Sequence, residues 1–342
     1  MKKIFLLSLF ICLLASCTNE IGPIPNDEPQ KLIINALMNA GKTENAIYLN
    51  LSDYNSPQIV KNGIIRLYIN GELSETITEC IHPSEDEIYT SYEDYYYKVH
   101  STFNSGDHIR IEAETSDGKF RAEAETIVHE PIRILQLDTL HRTGSLTGNN
   151  LSNGSLWLSE YTRLKVKLEI PSNSQMQYYR VQFKEDYTYY LVNRETRKDS
   201  IITNTYWGVS QYYDTALMDG KPGSSNDFDS NIEFVPPIQN YYRVFSSAYF
   251  SNRQYTMILE TAPTYPWDTE NYEIKKTTCY ATLQYYAISS NEYRYLLAAS
   301  AYNDHDNSNP LEIPVIFPNN IKGGIGIFAI ESPTEYKFEL KR

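Results

Sequence analysis

The feature that most constrains this chain is a series of short segments in which apolar and polar residues alternate, closed by turn dipeptides. GIIRLYI (63–69) places Ile65, Leu67 and Ile69 on one face, and Asn70-Gly71 after it is a strong hairpin signal. DHIRIEAET (107–115) alternates Ile109, Ile111 and Ala113, then turns at Asp117-Gly118 into KFRAEAETIV (119–128). KLIINALM (31–38) and NAIYLNL (45–51) read as two strands ahead of these. A period of two puts successive side chains on opposite faces, so a chain built this way must stack sheets to bury the apolar face. The expected fold is therefore mainly β.

Glu130-Pro131 marks a boundary between two expected domains. The first, over 31–129, is an immunoglobulin- or transthyretin-like sandwich, with the acidic, Tyr-rich stretch 85–98 as a long loop entering a strand that ends at Val99. The second, over 130–342, is sandwich-like, with strands at 132–139, 162–170, 178–184, 242–250, 255–262 and 277–288. Loops are expected at 143–155 and 219–231, irregular chain through 197–240, and closing strands at 325–331 and 335–340. One helix is expected over 289–303, opened by a capping box of Ser289 with Glu292 and followed by Tyr293, Leu296, Leu297 and Ser300 at helical spacing.

Ahead of this body, Lys2 and Lys3 precede an apolar run, Ile4 to Leu14, shorter than the ~20 residues a membrane span needs. Leu14-Ala15-Ser16-Cys17 reads as a bacterial lipobox, so cleavage between Ser16 and Cys17 and palmitate-type acylation of the Cys17 thiol are expected. Residues 1–16 are then a signal peptide and 17–30 a lipidated, Pro-rich tether. No aspartate follows Cys17, which favours the outer membrane, with the cell surface expected and the periplasmic face left open.

Composition narrows the function classes. The formal charge is −13, and −15 once Lys2 and Lys3 leave with the signal, which argues against a nucleic-acid partner. Tyrosine is over-used, 30 against 12 Phe and 3 Trp, and its amphipathic ring suits half-exposed sheet faces better than it announces a ligand surface. Cys80 and Cys279 fall in different expected domains and read as two separate buried thiols. The six histidines show no metal-ligand pairing, and no nucleophile elbow, metalloprotease helix or phosphate loop is present. Asp304-His305-Asp306 with Glu312, and Asp227, Asp229 and Asn231, are oxygen-rich loops without a calcium-site pattern, so neither is expected to bind calcium tightly. No cofactor is expected. Trp157, Trp207 and Trp267 sit in or beside irregular segments, and Tyr206, Trp207, Tyr212 and Tyr213 form the densest cluster able to stack on a glycan or peptide; core packing is the competing reading.

The C-terminal stretch carries a resemblance. ISSNEYRYLLAA (288–299), then Asn309-Pro310-Leu311 and Pro314, then Asn320-Ile321-Lys322-Gly323-Gly324-Ile325-Gly326-Ile327-Phe328 are similar to the Bacteroidetes domain of unknown function 4249 family. In that family the region reads as a helix, an N-P-F-like turn and N-I-x-G-G-x-G-x-F; here Leu311 stands in place of the phenylalanine. The resemblance marks Asn320, Gly323, Gly324, Gly326 and Phe328 as structural residues and implies no catalytic ones. It implies a lipoprotein accessory to a TonB-dependent receptor and its substrate-binding lipoprotein. Asp138-Thr139-Leu140, Asp199-Ser200-Ile201 and Asp214-Thr215-Ala216 also resemble an O-glycosylation pattern of those bacteria. The expected function is a non-enzymatic accessory or binding component of TonB-dependent nutrient uptake. The alternatives are a surface adhesin or matrix component and, in a different class, a surface hydrolase.

Overall fold

A computed structural model describes residues 29–53, 56–82, 95–144, 159–171, 175–208, 214–218, 240–264, 270–304 and 315–341. The signal peptide, Cys17 and most of the tether lie outside the described residues.

The first part of the chain forms β1 (Leu32–Asn39), β2 (Asn45–Leu51), β3 (Gln58–Ile59), β4 (Gly63–Ile69), β5 (Glu72–Ile77), β6 (Cys80–Ile81), β7 (Tyr96–Val99), β8 (His108–Thr115) and β9 (Arg121–Ile127). The second part adds β10 (Arg133–Gly144), β11 (Ser159–Glu169), β12 (Tyr178–Asn193), β13 (Asp199–Trp207), β14 (Val244–Ser246), β15 (Gln254–Thr261) and β16 (Tyr272–Ile288). Helix α1 (Ser290–Asp304) and β17 (Gly324–Glu339) close the chain. One long sheet runs β13-β12-β16-β17-β1-β2-β7-β6, with β14 beside β12 and β3 beside β2; two smaller sheets run β5-β4-β8-β9 and β10-β11-β15.

The small sheets cover two halves of the same face of the long one. Leu32, Ile34, Ile47 and Phe328 of the long sheet bury against Ile65, Leu67, Ile109, Ile111 and Ala124 of the four-stranded sheet. Val181, Phe183, Leu283 and Tyr285 bury against Leu164, Val166, Met257 and Leu259 of the three-stranded sheet. Each such aliphatic or phenyl side chain contributes about 1.5–3 kcal/mol on leaving water. Tyr97, Tyr179, Tyr187, Tyr189 and Tyr285 are among the largest fully buried side chains, so much of the tyrosine surplus is core. Their hydroxyls stay hydrogen-bonded, as in Tyr97, which accepts from the Gly63 N–H (2.7 Å) and donates to the Val60 carbonyl (2.7 Å).

One strand joins the two sandwiches. Residues 324–331 of β17 pair in parallel with β1, and residues 332–339 pair antiparallel with β16. A cut of the chain near residue 130 separates the two cores for most of the sequence, yet Ile321, Phe328 and Ile330 pack in the first core. The closing strand is continuous where two strands broken around Pro333 were expected. The Leu340 N–H donates to the Cys279 carbonyl, so even-numbered β17 residues turn their N–H groups toward β16 and odd-numbered ones away. Pro333, which has no N–H, therefore faces the side where β1 has already ended at Asn39, and no ladder bond is lost.

The 320–328 motif makes this junction. Glu123 and Lys322 exchange backbone hydrogen bonds (2.9 and 2.8 Å), tying the chain to β9 before it crosses to β1. A Cβ on Gly324 would lie 2.5 Å from the Leu32 carbonyl oxygen, and one on Gly326 2.1 Å from that of Ile34. The Asn320 side chain stands in for a strand partner, donating to the Phe328 carbonyl (2.7 Å) and accepting from the Phe328 N–H (2.9 Å). Asn320→Ala removes both bonds, and an expected loss of about 1–3 kcal/mol should be read by urea denaturation; an unchanged midpoint would show that water replaces the amide freely.

Other expectations are corrected. Residues 199–207 form a full strand within the segment expected to be irregular, because Ser200 to Trp207 zips onto β12 without a bulge. β10 runs on to Gly144, into the expected loop, and 242–250 holds only three strand residues before a turn of 3₁₀ helix at Ser247–Tyr249. Cys279 is buried, whereas Cys80 is only half-buried, and neither is in a disulfide.

Candidate functional site

The face of the long sheet opposite the two small sheets carries α1. The helix begins where Ser289 accepts a hydrogen bond from the Glu292 N–H (3.1 Å), and Leu296 packs with Val244, Tyr286 and Ile288. Tyr293, Tyr295 and Leu297 extend that contact. The Glu292 carboxyl is fully buried, with the Ser289 N–H and the Glu331 carboxyl as its polar neighbours. Neither oxygen makes a hydrogen bond of full geometry among the described residues, so the reciprocal half of the expected capping box is at most a loose contact. Burial first, and then the neighbouring Glu331, push its pKa well above the usual carboxylate value, which favours the protonated form. Glu331 is in turn paired with Arg180, whose Nη2 donates to it at 2.7 Å and whose guanidinium lies 4.6 Å over the Tyr286 ring. Both carboxyls of this triad are buried and Arg180 is largely so, and the group serves as structure.

Beside the helix the sheet face is open. Alternation along β1, β2 and β7 points Asn35, Leu37, Tyr48, Tyr96 and Lys98 outward, and Tyr295 of α1 forms the opposite wall. Together with Lys42, Glu44 and Ile327 they enclose a groove of ≈ 560 Å³. The Tyr48 and Tyr96 rings lie 6.3 Å apart, and Tyr295 is braced by Phe317 at 5.3 Å. Lys98 and Glu44 pair across the rim at 2.7 Å, and the Lys98 hydrogen bond holds the Glu44 carboxyl below its ordinary pKa. The lining residues include neither histidine nor cysteine, and their one carboxylate is engaged by a lysine. Such a surface can stack flat rings and hydrogen-bond polar groups; it offers no nucleophile–base pair.

The residues singled out from sequence are scattered. Trp207 is 61 % exposed at the end of β13, with the Lys184 ammonium 5.7 Å from its ring. Tyr206 points through the sheet to the other side and meets Tyr187 edge-on at 5.7 Å, so the two do not share a platform. Tyr212, Tyr213, Trp157 and Trp267 lie outside the described residues, as do Asp227, Asp229, Asn231 and residues 305–312. Among the described residues no group of three His, Cys, Asp or Glu side chains could hold a metal. Of the three glycosylation-like triplets, Thr139 and Thr215 are exposed and Ser200 is half-buried. Asp214 is buried and accepts from Tyr255 Oη and the Ile258 N–H, both at 2.8 Å, which gives it a structural task of its own. The tyrosine groove was missed, although Tyr48 sits between Ile47 and Leu49 and so had to face away from the core.

Fold and groove together define a mainly β protein of two sandwiches on one shared sheet, with an open polar-aromatic surface beside its helix. The chain belongs to the family described as Domain of unknown function (DUF4249), which matches residues 18–337. No curated protein matches it. Among solved structures, a Corynebacterium diphtheriae protein described as membrane anchored matches at 12% identity, over 77% of this chain and 55% of its own, with a TM-score of 0.19. This chain spans about half of that protein's length, and a likeness at that score carries no argument. No helix among the described residues is long and apolar enough to cross a membrane.

Proposed function

We propose that this protein is a lipid-anchored, non-enzymatic component of the outer membrane that captures ligand or holds a complex together for a TonB-dependent importer. The observation that carries the binding half is the groove, whose tyrosine walls and amide- and lysine-bearing floor are open to solvent and gather no catalytic groups. Its volume lies within the range of small-ligand sites, and the ring spacing suits a glycan or an extended peptide. The anchor rests on Leu14 to Cys17 and the importer on the family resemblance.

The test is an affinity pull-down of the full-length lipoprotein from native outer membranes, with mass spectrometry of what accompanies it. A TonB-dependent barrel in near-stoichiometric yield is expected. Absence of any barrel, with the protein open to added protease on intact cells, would replace this reading with the adhesin. A Tyr48→Ala/Tyr96→Ala double variant is expected to keep its thermal midpoint within a few degrees and to lose at least tenfold in affinity for any ligand identified this way. Unchanged affinity would move the site elsewhere.

A further inference from the structure

The long sheet ends in β13, and among the described residues this edge pairs with nothing beyond β12. Natural sheet edges are guarded by lysine, proline, bulges or shortness, because a free row of N–H and C=O groups templates another strand. β13 has none of these guards. It is nine residues long, without bulge, lysine or proline, and it exposes Ile201 (64 %) and Trp207 (61 %). The opposite end of the sheet is the two-residue β6, short enough to be harmless.

The hydrogen-bond pattern shows which groups are free. The Gly208 N–H donates to the Phe183 carbonyl (2.7 Å) and the Asn193 N–H to the Lys198 carbonyl (2.9 Å), so even-numbered residues of this strand bond to β12. In an antiparallel ladder the alternate residues then turn both backbone groups outward. Those are Asp199, Ile201, Thr203, Thr205 and Trp207, a set symmetric about Thr203.

We propose that β13 is a dimerisation edge, at which a second copy of this chain adds its own β13 antiparallel about a two-fold axis through Thr203. In that register each free N–H and C=O finds its symmetry mate: Thr203 with Thr203, Ile201 with Thr205, Asp199 with Trp207. Charge does not oppose this register. Asp199 is the strand's single charged residue, and it falls beside the other copy's uncharged Trp207; Lys184, 5.7 Å from that ring, is paired with Asp186 of its own strand at 2.9 Å. No like charges face each other within the seam. The axis stands perpendicular to the sheet, so the long sheets continue from one copy to the next with their open faces on the same side.

The test uses the full-length lipoprotein in mild detergent, at micromolar concentration, weighed by sedimentation or mass photometry. Wild type is expected to be a dimer. Thr203→Pro removes only an outward N–H and leaves the bonds to β12 intact, so this variant is expected to be monomeric with a thermal midpoint close to wild type. Should it misfold, Thr203→Lys places a like charge at the axis without touching the backbone and is expected to dissociate the dimer. Thr203→Cys is expected to give a disulfide-linked dimer under mild oxidation, since paired Cα atoms about 5.5 Å apart fall within disulfide reach. A wild-type monomer, or a dimer untouched by Thr203→Pro and Thr203→Lys, would overturn the proposal. So would a monomer whose Thr203→Lys variant sheds a co-purifying membrane protein, which would assign the edge to a different partner.

Discussion

Gly326→Ala is expected to abolish cooperative folding or to cost more than about 4 kcal/mol, in the range that only a few mechanisms reach. Two effects add. Gly326 has φ +122°, a conformation open to glycine and strained for any other residue. Its missing Cβ also leaves room for the backbone of β1, since an added methyl would sit 2.1 Å from the Ile34 carbonyl oxygen and 2.9 Å from Asn35 Oδ1. A backbone atom within a ladder cannot step aside as a side-chain tip can, so β1 and β17 would have to part. Gly71→Ala separates the two effects: its φ is +87°, yet a Cβ there meets nothing within 4 Å. That control should cost about 1 kcal/mol, the conformational share alone. Urea denaturation of the three proteins decides it, and a Gly326→Ala variant as stable as Gly71→Ala would contradict the parallel pairing of β1 with β17.

Much of the first sandwich was legible because its strands obey a local rule. β2 and β4 fall where alternation and the Asn70-Gly71 turn put them, and β8 and β9 follow the Asp117-Gly118 turn closely. What was not legible depends on partners far away in sequence. β13 has weak alternation and is recruited by β12, and Pro333 reads as a strand breaker until one knows which way its missing N–H points. The glycines of 323–326 could be read as a close approach, but the partners they approach, β9 and β1, lie some two and three hundred residues earlier. The groove is a similar case. Its tyrosines come from β2, β7 and α1, and no stretch of sequence contains more than one of the three elements. The cluster actually legible, Tyr206-Trp207, is split by the same period of two that built the sheet.

Arg180→Met is the second substitution expected to have a large effect, about 3–5 kcal/mol at neutral pH, the usual cost of stranding a buried charge. Glu331 would keep its carboxylate at 5 % exposure with only Glu292 beside it, and the support under α1 would lose its cation. The methionine fills the volume of the arginine stem, so the loss would report on charge more than on packing. Glu292 supplies the pH signature. Its folded-state pKa is raised, mainly by burial, so the native protein holds a proton there that the unfolded chain releases above about pH 4.3. Stability from this group is complete below that pH and declines as pH rises toward the folded-state value, because the unfolded state binds fewer protons throughout that window. Glu292→Gln imitates the protonated form and is expected to flatten the decline, leaving the variant more stable than wild type at pH 8 and close to it at pH 4. In the Arg180→Met background, where a nearby positive charge no longer favours ionisation of Glu292, the same decline should extend to higher pH. Chemical denaturation of the three proteins at pH 4, 6 and 8 tests the scheme. A Glu292→Gln variant less stable than wild type at pH 8 would mean that Glu292 is ionised in the native state, sharing Arg180 with Glu331, and that the helix is held by charge instead of by a neutral acid.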